Sequence, residues 1–391
     1  LGKNPHGITR MRIALRTFML GLFLKLEAAA SLLLLAKNLI KLFAVTPASF
    51  NRRRTLTLAA ALACSAAMLP SRAATAKLEK SSIQLVVGGR TALQHLPLTI
   101  ADQLGFFRHE GLSVAIVDAG HAARAMQLML DGGFDACAGP YEHTLNWPGR
   151  TQQSFVVQTR TPQVAFGVSM RTLAGFKSLA DLKGRRIGLA QAGTVDAMVT
   201  MQLLAQAGIR LDDVSLVELG TSPSAVTALR SGVVDALGHF DPVMTMMEQK
   251  GEVRIIADTR TLKGTLDLFG GLLPSACLYA PIDFVQKYPG TCQALTHGIV
   301  HALKWLQTAG PGDLIKTVPD HFFQGDRALY LASFMKVRES ISPDGLMPAE
   351  AAQTAVRSLM GLHPSMRFDA AAIGRSFTNE FARRAKDRFK A

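Results

Sequence analysis

The 391-residue chain is poor in several things, and each shortage closes off a class of protein. It has four cysteines, Cys64, Cys137, Cys277 and Cys292, with no Cys-x-x-Cys spacing and no histidine pair nearby, so the common metal-site patterns are missing. With Cys64 in a leader, three remain, and an odd number allows at most one disulfide. Cys277–Cys292 is open as a pair, but buried free thiols suit a chain of this size better. Charged residues are scarce at 18% against 48% apolar, which excludes an extended disordered chain and describes a well-cored globular one. There is no G-x-S-x-G, no H-E-x-x-H, no P-loop and no G-x-G-x-x-G, so the commonest enzyme signatures are absent and no cofactor or metal is expected.

What is abundant is positive charge, a formal +14, but it is unevenly spread. Residues 1–76 carry eleven Lys/Arg and a single acid, Glu27; from Lys77 onward thirty-two basic and twenty-eight acidic residues leave +4. That is an ordinary surface balance, and a nucleic-acid partner is not expected. The excess has another use. Arg52-Arg53-Arg54, the uncharged run Leu56 to Leu69, Pro70 and the small-x-small Ala74-Thr75-Ala76 read as a signal peptide over 51–76, cut after Ala76. Neither run in the leader spans a bilayer: Leu56–Leu69 is too short, and Met19–Val45 is interrupted by Lys25, Glu27, Lys37 and Lys41. Residues 1–50 read as an extension upstream of the start, with a membrane-skimming leader as the alternative. Export by the Sec or the twin-arginine route and lipidation at Cys64 both stay open.

From Lys77 the pattern alternates. Ile83–Val87 reads as a buried strand, with Gly88-Gly89-Arg90-Thr91 as its loop and a helix entered at Pro97; Val114–Val117 is the next strand and Ala122–Leu130 an amphipathic helix. Leu130 to Glu142, LDGGFDACAGPYE, is a helix end, a glycine turn, a short buried strand and an abrupt loop. The same unit returns at Leu229 to Pro242, LRSGVVDALGHFDP, so Gly-x-x-Asp-Ala occurs at Gly132–Ala136 and again at Gly232–Ala236. Asp135 and Asp235 read as scaffold residues that bond turn amides. The second β–α set starts at Ile187–Ala190, lies inside the first and returns through a glycine-rich crossing (Gly264, Gly270, Gly271) to Leu278-Tyr279. Short loops between alternating strands and helices predict an α/β fold of two lobes, each a mostly parallel sheet flanked by helices. Lobe one takes 77–161 plus 270–391 and lobe two 165–260, with crossings near 161–165 and 260–270 forming a hinge and a cleft between the lobes.

These residues carry a family resemblance. Leu96-Pro97, Ala101, Leu104-Gly105-Phe106-Phe107, Glu110-Gly111-Leu112, Gly133-Phe134-Asp135-Ala136, Asp181-Leu182-Lys183-Gly184, Gly193-Thr194 and Ser231–Ala236 together resemble the periplasmic substrate-binding proteins of ABC transporters. Among these it resembles specifically the nitrate/sulfonate/taurine group, related to thiamine-precursor binders. The resemblance covers nearly all of 80–305. It implies the type II periplasmic-binding-protein fold, a monomer in the periplasm, and a cleft that closes on a small-molecule ligand. It also implies an ABC permease and ATPase at the inner membrane as partners.

Loops after strand C-terminal ends are where open α/β sheets bind ligands, which nominates the site. Gly89, Arg90 and Thr91 offer backbone N–H groups and a guanidinium, and Gly193-Thr194 a helix N-terminus; both suit an anion, although Arg90 also reads as a surface charge and Thr194 as a plain helix cap. Tyr141-Glu142 and His239-Phe240-Asp241 follow the two repeated strands and would sandwich an amine or a heterocycle, or else pack and cap the helix starts. His95 reaches the same space from lobe one, and Arg160 sits in the first crossing. The expected ligand is anionic or zwitterionic, with a pyrimidine-like aromatic heterocycle as the alternative. An enzyme like the thiamine-precursor synthases on the same fold is the alternative of another class, against which stands the lack of their Cys-rich segment.

Overall fold

The structure, a computed structural model, describes residues 78–145, 151–190, 194–220, 222–362 and 365–391. The leader assignments for 1–76 lie outside the described residues. Lys77–Ala391 forms one compact unit.

Its strands are β1 (Ser82–Val87), β2 (Ser113–Asp118), β3 (Ala136–Pro140), β4 (Gln152–Val157), β5 (Val164–Ser169), β6 (Arg186–Leu189), β7 (Ser215–Glu218), β8 (Ala236–Phe240), β9 (Val253–Asp258) and β10 (Ala276–Pro281). The helices up to the return strand are α1 (Leu96–Gln103), α2 (Phe106–His109), α3 (Ala122–Leu130), α4 (Val195–Gln206), α5 (Ser222–Ser231), α6 (Val243–Gln249) and α7 (Leu262–Phe269). After it come α8 (Ile282–Lys287), α9 (Pro289–Thr308), α10 (Pro311–Thr317), α11 (Arg327–Val337), α12 (Ala351–Leu362), α13 (Ala370–Arg375) and α14 (Glu380–Phe389).

The strands form two five-stranded sheets, ordered β2-β1-β3-β10-β4 and β7-β6-β8-β5-β9. The two orders are one topology used twice. In each sheet the first three strands are parallel, and the fourth, β10 or β5, runs against both neighbours. The sheets are therefore mixed, each with a single reversed strand. Even the irregularities match: a register shift falls between Leu278 and Tyr279 in β10 and between Phe166 and Gly167 in β5.

The repeated Gly-x-x-Asp-Ala segment explains the repetition. Gly132 (φ 84°) and Gly232 (φ 77°) take the left-handed conformation that stops α3 and α5, where a side chain would be strained. Each aspartate then bonds the neighbouring strand rather than the amides of its own turn. Asp135 accepts from Gln84 N (2.9 Å) and from Lys80 Nζ (2.5 Å). Asp235 accepts from Arg186 N (3.1 Å) and from the Arg186 guanidinium (3.1 and 2.9 Å). Each lobe thus fixes the register of its first and third strands with one carboxylate and one cation.

The topology also dictates which edges face each other. β4 ends at Val157 on the C-terminal edge of the first sheet, and reversed β5 starts at Val164 on the corresponding edge of the second. Residues 158–163 between them reach at most about 20 Å when extended. The second crossing likewise joins the end of β9 to the start of reversed β10. Both crossings tie C-terminal edge to C-terminal edge, so the C-terminal ends of β1, β3, β6 and β8 face the same gap. This is the type II periplasmic-binding-protein architecture.

Two features differ from expectation. The glycine-rich return contains a helix, α7, capped at its start by Thr261 Oγ1 on Gly264 N (3.0 Å) and at its end by left-handed Gly270. Gly264 is there for close approach: a Cβ on it would lie 1.9 Å from the Asp258 carbonyl oxygen. The tail also reaches further than a one-lobe assignment implies. Helix α12 packs on α4 and α11 on α6, both of which flank the second sheet. A third strap joins the crossings: Arg160 N donates to Ser340 O (2.7 Å), Gln163 Nε2 to Ser340 Oγ (2.6 Å), Ser342 N to Gln158 O (2.8 Å), and Leu262 N to Glu339 Oε1 (2.8 Å). On one side, apolar residues of both sheets form a continuous core that includes Cys137, Cys277 and Tyr279 with Val164, Phe166 and Ile187.

Candidate functional site

On the first sheet's edge, the β1 loop is occupied by the chain's own acids. Gly89 N and Arg90 N donate to Asp118 at the end of β2 (2.9 and 2.8 Å), and Gly120 N joins them (2.8 Å). The Arg90 guanidinium pairs with Asp102 at 2.5 Å. The groups expected to greet an anion are thus largely satisfied internally, since two turns of backbone N–H groups make a nest that a carboxylate fills. In this loop Arg90 Nε is buried without a partner among the described residues, and Thr91 is exposed.

Deeper in the same edge the situation reverses. His95 is fully buried, and neither ring nitrogen has a hydrogen-bond partner among the described residues. Burial pushes its pKa down to about 4, against the nearby charge of Asp118, so it is neutral at pH 7. Gln158, in the first crossing, accepts from Leu98 N in the first turn of α1 through Oε1 (3.1 Å), while its Nε2 has no partner. Arg160 donates through Nη2 to Glu339 O (2.8 Å) and keeps a buried Nε without a partner. Burial lowers its pKa, opposed by Asp344 and Glu339.

Tyr141, nominated for the cleft, sits in the apolar core. It is fully buried, its hydroxyl lies 2.6 Å from Ser376 Oγ, and its ring meets Phe377 edge-on. The ring belongs to the core and the tail satisfies the hydroxyl. Glu142 is half-buried, and burial pushes its carboxyl up to about 7, its backbone hydrogen bond opposing. His143 Nδ1 bonds the Tyr279 hydroxyl (3.0 Å), and burial holds that imidazole down at about 4.

On the second sheet's edge, Gly193 lies outside the described residues. Thr194 precedes α4 but does not cap it with its side chain. Its hydroxyl donates to Asp196, which also accepts from Ala190 N (2.6 Å). Asp196 is fully buried, and burial raises its pKa against the Thr194 and Ala190 hydrogen bonds and the neighbouring His239. His239 is buried, with Nδ1 3.3 Å from Phe240 O and Nε2 unpartnered among the described residues. The Thr200 hydroxyl is buried and unpartnered too, and a Cβ on Gly238 would come within 2.4 Å of it. Phe240 is half-buried with its ring edge-on to His239.

Asp241 is a second reassignment. Its carboxylate caps α6 by accepting from Thr245 N (2.8 Å) and faces Arg260 at 3.4 Å. Arg260 is fully buried among Asp241, Asp258 (2.7 Å) and Glu248 (3.2 Å). Burial alone would lower its pKa, but the three carboxylates outweigh that and keep it charged. Asp241 is therefore neutralised and offers a ligand little.

Sequence reasoning missed Gln158, Asp196, Thr200 and Arg260. Asp196 had a signal, an acid in the first turn of a helix after Gly-Thr, and Gln158 another, a polar residue closing an apolar strand. No group of three or more metal-ligating side chains occurs among the described residues.

The chain also has relatives. The family described as NMT1/THI5 like matches residues 92–306. A solved structure from Bordetella bronchiseptica RB50 is 44% identical, covers 81% of this chain and 100% of its own, and superposes with a TM-score of 0.74. A Brucella abortus chain named only as a binding protein is 37% identical over 166 residues, 41% of this chain and 49% of its own. The chain thus spans about half the length of the curated relatives it matches first. At 17% identity, the alkanesulfonate-binding protein SsuA of Xanthomonas axonopodis, solved with MOPS, shares the fold with a TM-score of 0.59 over 77% of this chain and 99% of its own. With 215 of its residues under the family match, two copies of one sheet topology and opposed strand ends, the chain belongs to the NMT1/THI5-like family.

Proposed function

We propose that the chain is an extracytoplasmic solute-binding protein. It captures a small polar solute between the facing strand ends and hands it to an ABC permease and its ATPase. In this reading it is a periplasmic monomer released by cleavage after Ala76, with lobe one (77–161 plus 270–391) and lobe two (165–260) moving about the two crossings. The observation that carries it is that residues beside the strand ends of both sheets hold buried polar atoms without a partner among the described residues. They include both nitrogens of His95, Gln158 Nε2 and Arg160 Nε on the first side, and on the second His239 Nε2 and Thr200 Oγ1, the latter in α4 against Gly238 of β8. A buried polar atom left unsatisfied costs about 1–3 kcal/mol, and a ligand that completed their bonding would offset that cost.

The MOPS bound to the Xanthomonas relative favours a sulfonate-like solute, as does the unpartnered Nε of Arg160. A second reading, a neutral aromatic heterocycle, gains from the electrostatics. Arg90 is held by Asp102, Arg260 by three acids, and His95 and Gln158 are neutral groups. Neutral donors and acceptors suit ring nitrogens and exocyclic amines, or a zwitterion, better than nitrate. An enzyme reading is less well supported, because burial pushes the thiols of Cys137 and Cys292 up to about 12, and that of Cys277 higher still, leaving no thiolate nucleophile among them at neutral pH.

A thermal-shift screen with alkanesulfonates, taurine, nitrate, pyrimidines and aromatic acids tests this. A true ligand raises the melting temperature by mass action. Heterocycles or taurine-like zwitterions should exceed nitrate; a response to nitrate alone contradicts the electrostatic argument. Mature protein found only in the cytoplasm on fractionation would sink the proposal as a whole.

A further inference from the structure

A groove of about 440 Å³ lies away from the facing strand ends, between α5 and α6 of the second sheet and the tail segment 322–330. Its floor is apolar, with Val226 from α5 and Val243 and Met246 from α6. Its roof is aromatic, with Phe322, Phe323 and Tyr330, each about 95% buried, from the tail. Of the strand-end loops only Pro242 touches it, and none of the residues nominated for the cleft lines it. The volume falls in the range of small-molecule sites, roughly 300–1,000 Å³.

The polar groups of the lining are uneven in sign. Lys250, at the C-terminal end of α6, has no ion-pair partner among the described residues, and the Tyr330 hydroxyl makes no hydrogen bond among them. Arg230 adds a second cation, held on one side by Glu252 at 3.0 Å. The single acid of the lining, Asp326, is already used, because it caps α11 by accepting from Leu329 N (2.8 Å). An apolar trough with unspent positive charge at its rim complements a molecule with a hydrocarbon or aryl body and one anionic head.

We propose that this groove is a second binding site, for a small amphipathic anion, whose apolar body lies between Met246 and the Phe323–Tyr330 roof and whose head meets Lys250. Its floor belongs to the second sheet and its roof to the tail that follows the first. An occupant therefore bridges both and holds the tail against α5 and α6. The site needs no assumption about what the facing strand ends bind.

Calorimetric titration of the full chain with octanoate, and with octanol as its uncharged counterpart, tests the proposal. Octanoate should bind saturably, and on the order of tenfold more tightly than octanol. Lys250→Glu should weaken octanoate on the order of tenfold while leaving octanol unchanged, and Met246→Trp, which fills the trough, should abolish both. Thr227→Trp at the rim serves if Met246→Trp does not fold, as judged by circular dichroism. Equal binding of octanoate and octanol, octanoate binding that survives the tryptophan variants, or no saturable heat with octanoate overturns the proposal.

Discussion

Replacing Arg260 by methionine tests the electrostatic account of the second lobe. Arg260 and Asp241 are both essentially unexposed, at 0% and 1%, whereas Asp258 and Glu248 keep 27% and 33% of their side-chain surface. Methionine fills much of the same volume but strands Asp241 as a buried, uncompensated carboxylate. Breaking a buried pair in this way costs about 3–5 kcal/mol, whereas removing both charges is close to neutral. Asp258 and Glu248 reach water and add little. Asp241→Asn still caps α6 through its amide oxygen, because asparagine is as good a cap as aspartate. The double variant Asp241→Asn/Arg260→Met should therefore recover much of the loss, with a coupling of about 0.5–3 kcal/mol. Arg230→Met, which breaks the half-exposed pair with Glu252, should cost no more than about 1 kcal/mol. Urea unfolding at pH 7, followed by circular dichroism with the slope compared across variants, gives all four numbers. A loss below about 1 kcal/mol for Arg260→Met, or strict additivity in the double variant, would refute the reasoning.

Three further outcomes follow from the same structure. His95 and His143 both sit at about 4 against an ordinary 6.5. As pH falls the unfolded chain takes these protons first, so stability is intact above about pH 6.5 and is lost toward pH 4, by up to about 3 kcal/mol per histidine; His95→Asn should flatten that slope in urea titrations at stepped pH. Glu142, raised to about 7, has the opposite sense. Stability drains as pH climbs from about 4.5 to 7, so Glu142→Gln should raise the melting temperature at pH 8 and change it little at pH 4, and an equal effect at both would contradict the shift. Gly264→Ala drives a Cβ into the Asp258 carbonyl and should cost about 1–3 kcal/mol or more, whereas Gly312→Ala, with nothing within 4 Å, should be neutral or mildly stabilising by denaturant midpoint.

The fold was legible because its signals are local. Apolar runs of strand length, glycine stops and the doubled Gly-x-x-Asp-Ala unit are each confined to a few residues, and the second copy made the first interpretable. Helix α7 escaped because Gly264 and Gly270 look like loop residues, although one is required for a close approach and the other for a left-handed cap. The site was only half legible, because its chemistry depends on partners distant in sequence. Arg90 reads as a free guanidinium until Asp102 folds back on it, and its backbone N–H as a ligand donor until Asp118 takes it, twenty-eight residues on. Tyr141 reads as an exposed aromatic until Ser376, 235 residues later, receives its hydroxyl. Asp241 reads as an open carboxylate until Arg260 neutralises it. Residue type and loop position nominated the strand-end loops; which groups stay unpartnered there is decided by tertiary pairing.

The central claim is that one solute bridges the facing strand ends. Its most direct test is calorimetric titration of the solute found by thermal shift into two variants, Gln158→Leu on the first edge and Thr200→Val on the second. Thr200→Val removes an unpartnered hydroxyl, and Gln158→Leu the unpartnered Nε2 together with the Oε1 that accepts from Leu98 N; each should weaken binding on the order of tenfold, the loss of one good hydrogen bond. Unchanged affinity in either variant would mean that the solute does not bridge the two edges, and would contradict the account.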